Sequence, residues 1–443
     1  MIALLVRWAL AVAIVMAAGR AHANGAFPDS LRIFVPADRP AEIILATNFG
    51  LIMSRDDGAT WDWVCEHGDG FLATQYQAAA PPSRRLFAVA PAGLAYSDDD
   101  ACGWSLAVDL MSTTVTDAFA DPVNPNRVLA LASFIDLNGQ AQSGLFVSGD
   151  AGKTFGAPKY LAAAASSLVS VEVAASEADR IYLTAFHSNL GRPPGGAVIH
   201  SDDGGGTWAT SDVTPVTGER IVRIAAVDPV DAQKIYFRVT GSEDAIGLST
   251  DGGVTMTLPL VVTAQLTGLL RRANGQILVS ALDVVDGALY QSTDAGKSFS
   301  RLATRLAIRA LAERAGKVYV ATDDVVDGFA LGVSTDDGAT FKPLLRFNQV
   351  KGARACGSLK AACATTCSML VNVGTFTPAT CANAPGGDGS VVTNGDAGRD
   401  TGANPAASPR KGCGCHLLPH EDTTGAIMLA WVVAAALMWR RRR

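Results

Sequence analysis

The chain has 443 residues, 36 basic and 42 acidic, for a net charge of −6. Residues 1–23 hold two arginines and residues 416–443 hold four arginines with Glu421 and Asp422, so the body between them carries 30 basic and 40 acidic residues, a net of −10. An acidic body without a Lys/Arg cluster argues against nucleic acid or an anionic membrane as its partner.

Met1 to Ala23 reads as a secretory signal. A lone early Arg7 precedes an apolar run from Trp8 to Ala18, and Ala21-His22-Ala23 offers a small-residue cleavage site before Asn24. The eight cysteines of an exported chain are then expected in disulfides.

From about Leu31 to about Phe347 an eight-residue pattern, Ser-x-Asp-x-Gly-x-Thr-Trp, recurs seven times. The fullest copies are Ser54, Asp56, Gly58, Thr60 and Trp61, and Ser201, Asp203, Gly205, Thr207 and Trp208. Looser copies place Asp99 before Trp104, Asp150 before Phe155, Asp251 before Met256, Asp294 before Phe299 and Asp336 before Phe341. Successive starts lie 43, 51, 53, 48, 43 and 42 residues apart, the length of one four-stranded propeller blade. A short carboxylate and a hydroxyl satisfy the amides of a tight turn, glycine supplies the conformation other residues resist, and the aromatic opens the next strand. Around each copy lie short β-branched and aromatic runs bounded by Gly, Pro, Asp and Asn, such as Lys234-Ile235-Tyr236-Phe237-Arg238-Val239 and Lys317-Val318-Tyr319-Val320-Ala321. No segment between residues 30 and 350 has sustained apolar spacing at the helical period. The reading is all-β: a seven-bladed β-propeller over residues 24–350.

These turns resemble the Asp-box (BNR) repeat family, in which the box joins the third and fourth strands of a blade. The second copy departs from it, with Ala101 in the glycine position and Gly103 in the threonine position. The resemblance makes the boxes structural turns, one per blade. It reaches sialidases, whose first strand carries an Arg-Ile-Pro signature. Here Arg32-Ile33-Phe34-Val35-Pro36 displaces the proline, and sialidase rings have six blades. Xyloglucan-cleaving relatives place acid and base between two tandem propellers, which one ring cannot reproduce. Sortilin-type receptors have ten blades, and the photosystem II assembly propellers are nearer in size; both bind rather than catalyse.

His67, His187 and His200 fall in no metal or triad motif. Asp283-Val284-Val285-Asp286-Gly287 recurs as Asp324-Val325-Val326-Asp327-Gly328 between second and third strands, and longer insertions (Asp136 to Gly144, Ser188 to Gly196) fill the same slot in blades three and four. Together these loops form a partly acidic rim, read as solvated hairpins with a weak calcium site as the alternative. No catalytic residue, metal or cofactor is assigned.

Cys65 shortly follows the first box and Cys102 lies inside the second, so these two are expected to pair. Cys356, Cys363, Cys367 and Cys381 cluster in a segment spanning 351–382, and two bridges among them allow three connectivities. Their zinc-like spacing yields to disulfides in an oxidising compartment. This segment is expected to cap the ring where its first and last blades meet.

Residues 383–411, rich in Gly, Asp, Asn, Ala, Ser and Pro, read as a disordered stalk. Residues 412–443 follow as a tail, with Gly412-Cys413-Gly414-Cys415, an apolar run from Gly425 to Trp439 and four arginines. Fifteen residues make about 23 Å of helix against a hydrocarbon core of about 30 Å, too short for a comfortable permanent anchor. The tail resembles the myxobacterial C-terminal sorting signal MYXO-CTERM. That resemblance implies processing and lipidation at Cys413, with Cys415 as second choice, and retention on the outer surface. The sequence therefore reads as a monomeric, surface-tethered binding or scaffolding module for an unknown protein or polysaccharide, touching membrane only through its tail. A carbohydrate-active hydrolase and a structural envelope component are the alternatives.

Overall fold

The computed structural model describes residues 30–382 apart from 66–74, 91–92, 112, 189–192, 284–285, 355 and 357–359. The proposed signal, stalk and tail, with Cys413 and Cys415, lie outside the described residues, as does His67. Among the described residues no helix is long and apolar enough to cross a membrane.

Among the described residues, twenty-eight strands form seven antiparallel four-stranded sheets. Blade one takes β1 (Ser30–Phe34), β2 (Ile43–Thr47), β3 (Gly50–Ser54) and β4 (Asp62–Cys65). Each later blade takes the next four strands of the chain, so blade order is chain order and no strand is exchanged at the seam. The first strands of the later blades are β5 (Gln75–Ala78), β9 (Thr114–Ala120), β13 (Ser166–Val173), β17 (Ile221–Val227), β21 (Gln265–Arg271) and β25 (Ala310–Arg314). Each packs against the next, and β25 packs against β1, so the seven first strands close a ring around a central channel. Second strands such as β2 (Ile-Ile-Leu-Ala-Thr) are buried along their whole length, because apolar layers cover both faces. The core lies between blades: Tyr182 and Val198 of blade four, for instance, pack on Val222, Phe237 and Val239 of blade five.

Every box joins the third and fourth strands of its blade. In blade one the Ser54 hydroxyl donates to Asp56 Oδ1 at 2.8 Å and accepts from the Gly58 amide at 2.8 Å. Asp56 in turn accepts from the Thr60 amide at 2.8 Å and the Thr60 hydroxyl at 2.7 Å. The second box keeps this turn despite its altered sequence. Ala101 adopts a left-handed φ of 66° and donates to Ser97 Oγ at 3.0 Å, while Gly103, lacking a hydroxyl, bonds Asp99 through its amide alone at 2.8 Å. A Cβ on Gly58, whose φ is 90°, would stand 2.8 Å from Leu344 of blade seven. Glycine is needed there for backbone conformation and for inter-blade contact together.

The cysteine pairing differs from the sequence expectation. Cys65 bonds Cys363, Cys102 bonds Cys356, and Cys367 bonds Cys381. There is no Cys65–Cys102 bridge, and the later cluster contains one internal bridge instead of two. Cys65 ends β4 whereas Cys102 lies in the turn before its own fourth strand, so the two sit at opposite ends of equivalent strands. Each reaches a different part of the C-terminal segment instead. That segment runs parallel to β4 through the bonds Lys351 N–Trp61 O (2.9 Å), Trp63 N–Gly352 O (2.9 Å) and Arg354 N–Trp63 O (2.7 Å). It continues into the helix Lys360–Asn372 and the short helix Pro378–Ala382. Phe376 meets the Trp63 and Phe49 rings edge-on at 5.2 and 5.8 Å, and Phe347 meets Phe49 at 5.2 Å. At the same seam Arg314 of blade seven donates to Glu42 O at 2.6 Å and pairs with Asp57 at 2.9 Å.

Candidate functional site

Five of the seven first strands carry a β-bulge, at Leu31, Thr116, Val169, Ala225 and Thr267. A bulge breaks the alternation of side chains and re-aims them. On the innermost strand, that turns polar residues toward the channel or toward the next blade. Gln75 Nε2 donates to Asp117 Oδ1 at 3.0 Å, the Val171 amide donates to Asp117 Oδ2 at 2.9 Å, and the Val227 amide donates to Glu172 Oε2 at 3.0 Å. Arg32 reaches Tyr76 O at 3.4 Å and Arg223 reaches Val169 O at 2.9 Å. Every one of these bonds crosses from one blade to the next.

The charges on this wall do not neutralise one another by contact. Neither Arg32 nor Arg223 makes an ion pair with a described carboxylate, although Arg32 feels both Asp117 and Glu172, and Asp117 feels Arg223. Removal from bulk water dominates their titration. Burial pushes Glu172 up to about 7, with the Val227 amide opposing and the charge of Asp117 assisting. Burial likewise raises Asp117 against its hydrogen bonds. Arg32 is open to the lumen yet enclosed by protein, and that enclosure lowers its pKa despite the two carboxylates.

Beside the channel a cleft of about 490 Å³ opens between blades five and six. Ile221, Arg238, Thr240, Asp244, Thr263 and Gln265 are among the residues lining it. Asp244 ties the two blades together, accepting from the Leu266 amide at 2.9 Å and pairing with Arg238 at 3.3 Å.

The residues singled out in the sequence lie elsewhere. The box carboxylates are engaged in their own turns, and Asp56, Asp150, Asp203 and Asp336 are held down at about 2 by the hydroxyl and amide bonds of the threonine four residues on. His187 is buried with Nε2 3.4 Å from the Thr214 hydroxyl, and His200 Nε2 lies 4.0 Å from Asp202. In the loop of blade seven Asp323 accepts from the Val325 and Val326 amides, both at 3.0 Å, and Asp327 accepts from Ala307 N at 3.0 Å. The matching loop of blade six is described only in part. Among the described residues no group of three or more His, Cys, Asp or Glu is placed to hold a metal ion. Sequence reasoning passed over Asp117, Glu172, Arg223 and Arg238. The available signal was a charged residue inside an apolar first strand, as in Thr114-Val115-Thr116-Asp117-Ala118-Phe119.

No protein-family model and no curated protein sequence matches the chain. Among solved structures it is similar to YCF48 from Cyanidioschyzon merolae, at 13% identity and a TM-score of 0.43, over 66% of this chain and 92% of that one. It is similar also to a structure titled YCF48 bound to D1 peptide, at 15% identity and a TM-score of 0.41, over 66% of this chain and 90% of that one. A third similar structure is the GH74 enzyme of Niastella koreensis, at 13% identity and a TM-score of 0.29, over 71% of this chain and 62% of the enzyme. The likeness is one of fold.

Proposed function

We propose that this protein is an exported propeller, tethered to the cell surface by a processed tail, that binds a protein or glycan at the channel mouth and the adjoining cleft. One observation supports this above all: Arg32, Asp117, Glu172 and Arg223 line a channel without pairing in contact with one another. Structural ion pairs would meet and cancel, whereas separated charges on a rigid wall leave hydrogen-bonding capacity for something that enters. The stalk supplies reach, and Cys413 the attachment. Cross-linking on intact cells followed by mass spectrometry tests the reading. A specific partner should be captured by the native chain and lost with Arg32→Gln plus Arg223→Gln. Equal capture by both forms would place binding elsewhere, and no specific capture would leave a purely structural role.

The second reading, a glycoside hydrolase, draws on Glu172 at about 7 near Asp117, since a carboxyl with a raised pKa suits general-acid work. A panel of fluorogenic glycosides with Glu172→Gln as control decides it. Turnover abolished in the variant would replace the binding reading.

A further inference from the structure

In an antiparallel blade the hairpins between second and third strands, and the connections from one blade to the next, emerge on the face opposite the boxes. Exposed aliphatic side chains gather there. Ile135 and Leu137 stand on the hairpin of blade three, Val325 and Val326 on that of blade seven, and Val108 and Val216 in connections leading to blades three and five. In the loops of the box face, among the described residues, only Val123, Val230 and Val254 are comparable. Leu137 is 106% exposed and Val325 87%, so neither adds to the core. Valine is also a poor turn residue, because its branched Cβ is stiff and its side chain offers the turn no hydrogen bond. These tips are exposed apolar surface that folding does not require.

Carboxylates hold the tips in place. Asp136 accepts from the Asn138 and Gln140 amides at 2.9 and 2.8 Å, and Asp323 accepts from the Val325 and Val326 amides. Each apolar tip thus stands on an acidic base, and Asp324 and Asp327 flank the two valines as well. Basic residues nearby are already paired, Arg309 with Asp323 at 3.4 Å and Arg305 with Asp286 at 2.6 Å. The centre of this face has a third character. The cleft of about 490 Å³ opens there, with Thr240, Thr263 and Gln265 among its lining. Hydrocarbon would leave those polar groups unsatisfied and would bring the acidic bases against a bilayer. A polypeptide meets all three requirements: its backbone bonds the cleft, aliphatic side chains cover the tips, and Lys or Arg answers the carboxylates.

We infer that the face opposite the boxes docks a segment of a partner protein that carries aliphatic and basic side chains. This deepens the reading of the channel mouth as a binding site and rests on it, taking protein over glycan. A random twelve-residue peptide library displayed on phage and selected on the purified full-length chain tests it. Enriched sequences should combine Leu, Ile or Val with Lys or Arg, and a synthetic peptide of enriched sequence should bind more weakly as salt is raised. Combining Ile135→Ser, Leu137→Ser, Val325→Ser and Val326→Ser should weaken that peptide at least tenfold. Val123→Ser with Val230→Ser, on the box face, should change nothing. All six side chains are exposed, and circular dichroism of both variants should match the native chain. No enrichment, enriched peptides without aliphatic or basic residues, or equal binding to the fourfold variant would overturn the inference. Phosphatidylcholine vesicles bound by the native chain and released by the fourfold variant would reassign the face to lipid. A peptide lost with Arg32→Gln plus Arg223→Gln but kept by the fourfold variant would leave the channel reading standing and this one refuted.

Discussion

Blades one and two are treated differently from blades five and six. At the first pair, two disulfides, an added backbone segment and a cluster of edge-on rings fix the ring to the C-terminal helices. At the second, a cleft opens beside a shared apolar core, and within blade five two arginines stand opposite one another, Arg238 paired with Asp244. One side of the ring is cross-linked covalently, and the other is held by packing and by bonds such as Leu266 N to Asp244 and Arg271 to Asp228. The lesson concerns where each contact acts: the repulsion between Arg223 and Arg238 is set within blade five, whereas the disulfides join separate blades to the C-terminal segment.

The largest expected effect breaks the closed side. Cys65 and Cys363 are 298 residues apart, and chain-entropy arguments give a bridge of that span about 6 kcal/mol. Replacing both Cys363 and Cys356 by Ser should lower the thermal midpoint markedly, with amide exchange accelerating first in blades one and two. A midpoint unchanged from wild type would show that the noncovalent contacts alone close the seam. Next comes Trp63→Ala. This side chain is fully buried against Phe376, and its truncation should cost about 3–5 kcal/mol by denaturant unfolding. A smaller effect comes from the channel. The folded-state pKa of Glu172, about 7, is raised above its unfolded value, so the folded protein holds a proton that the unfolded chain releases. Its contribution is fully present below the unfolded pKa and is lost as pH rises through about 7. Midpoints measured from pH 4 to 8 should fall over that window in the wild type relative to Glu172→Gln, and parallel curves would refute the assignment. The smallest effect is expected in blade five: Arg238→Gln should move stability by no more than about 0.5 kcal/mol, because repulsion relieved offsets an ion pair lost.

The repeat turns and the channel wall were unequally legible. Seven boxes at blade spacing announced the ring, because each turn needs Ser, Asp and Gly at fixed positions to satisfy its own amides, so chemistry and sequence period coincide. The channel wall has no such period. Asp117 and Glu172 sit on strands where a bulge shifts the alternation by one, and in sequence they look like ordinary solvent-facing residues. Arg223 and Arg238 are fifteen positions apart, and only the hairpin register sets them side by side. The disulfides misled for a related reason: closeness to consecutive boxes fixed the blades of Cys65 and Cys102 but not the end of the strand each occupies, nor the segment lying alongside.

Since among the described residues each four-stranded sheet is built from consecutive strands, it is complete as soon as its own stretch of chain has emerged, and only blade one later gains residues 351–354 beside β4. The ring can therefore assemble in the order of synthesis, with one long-range event left to the end. Its covalent part depends on residues 346–382, so a chain cut short after Leu345 would hold all seven sheets and the Arg314 contacts but neither of the disulfides to blades one and two. Assembly and quality control converge on the last part of the folded body to be made.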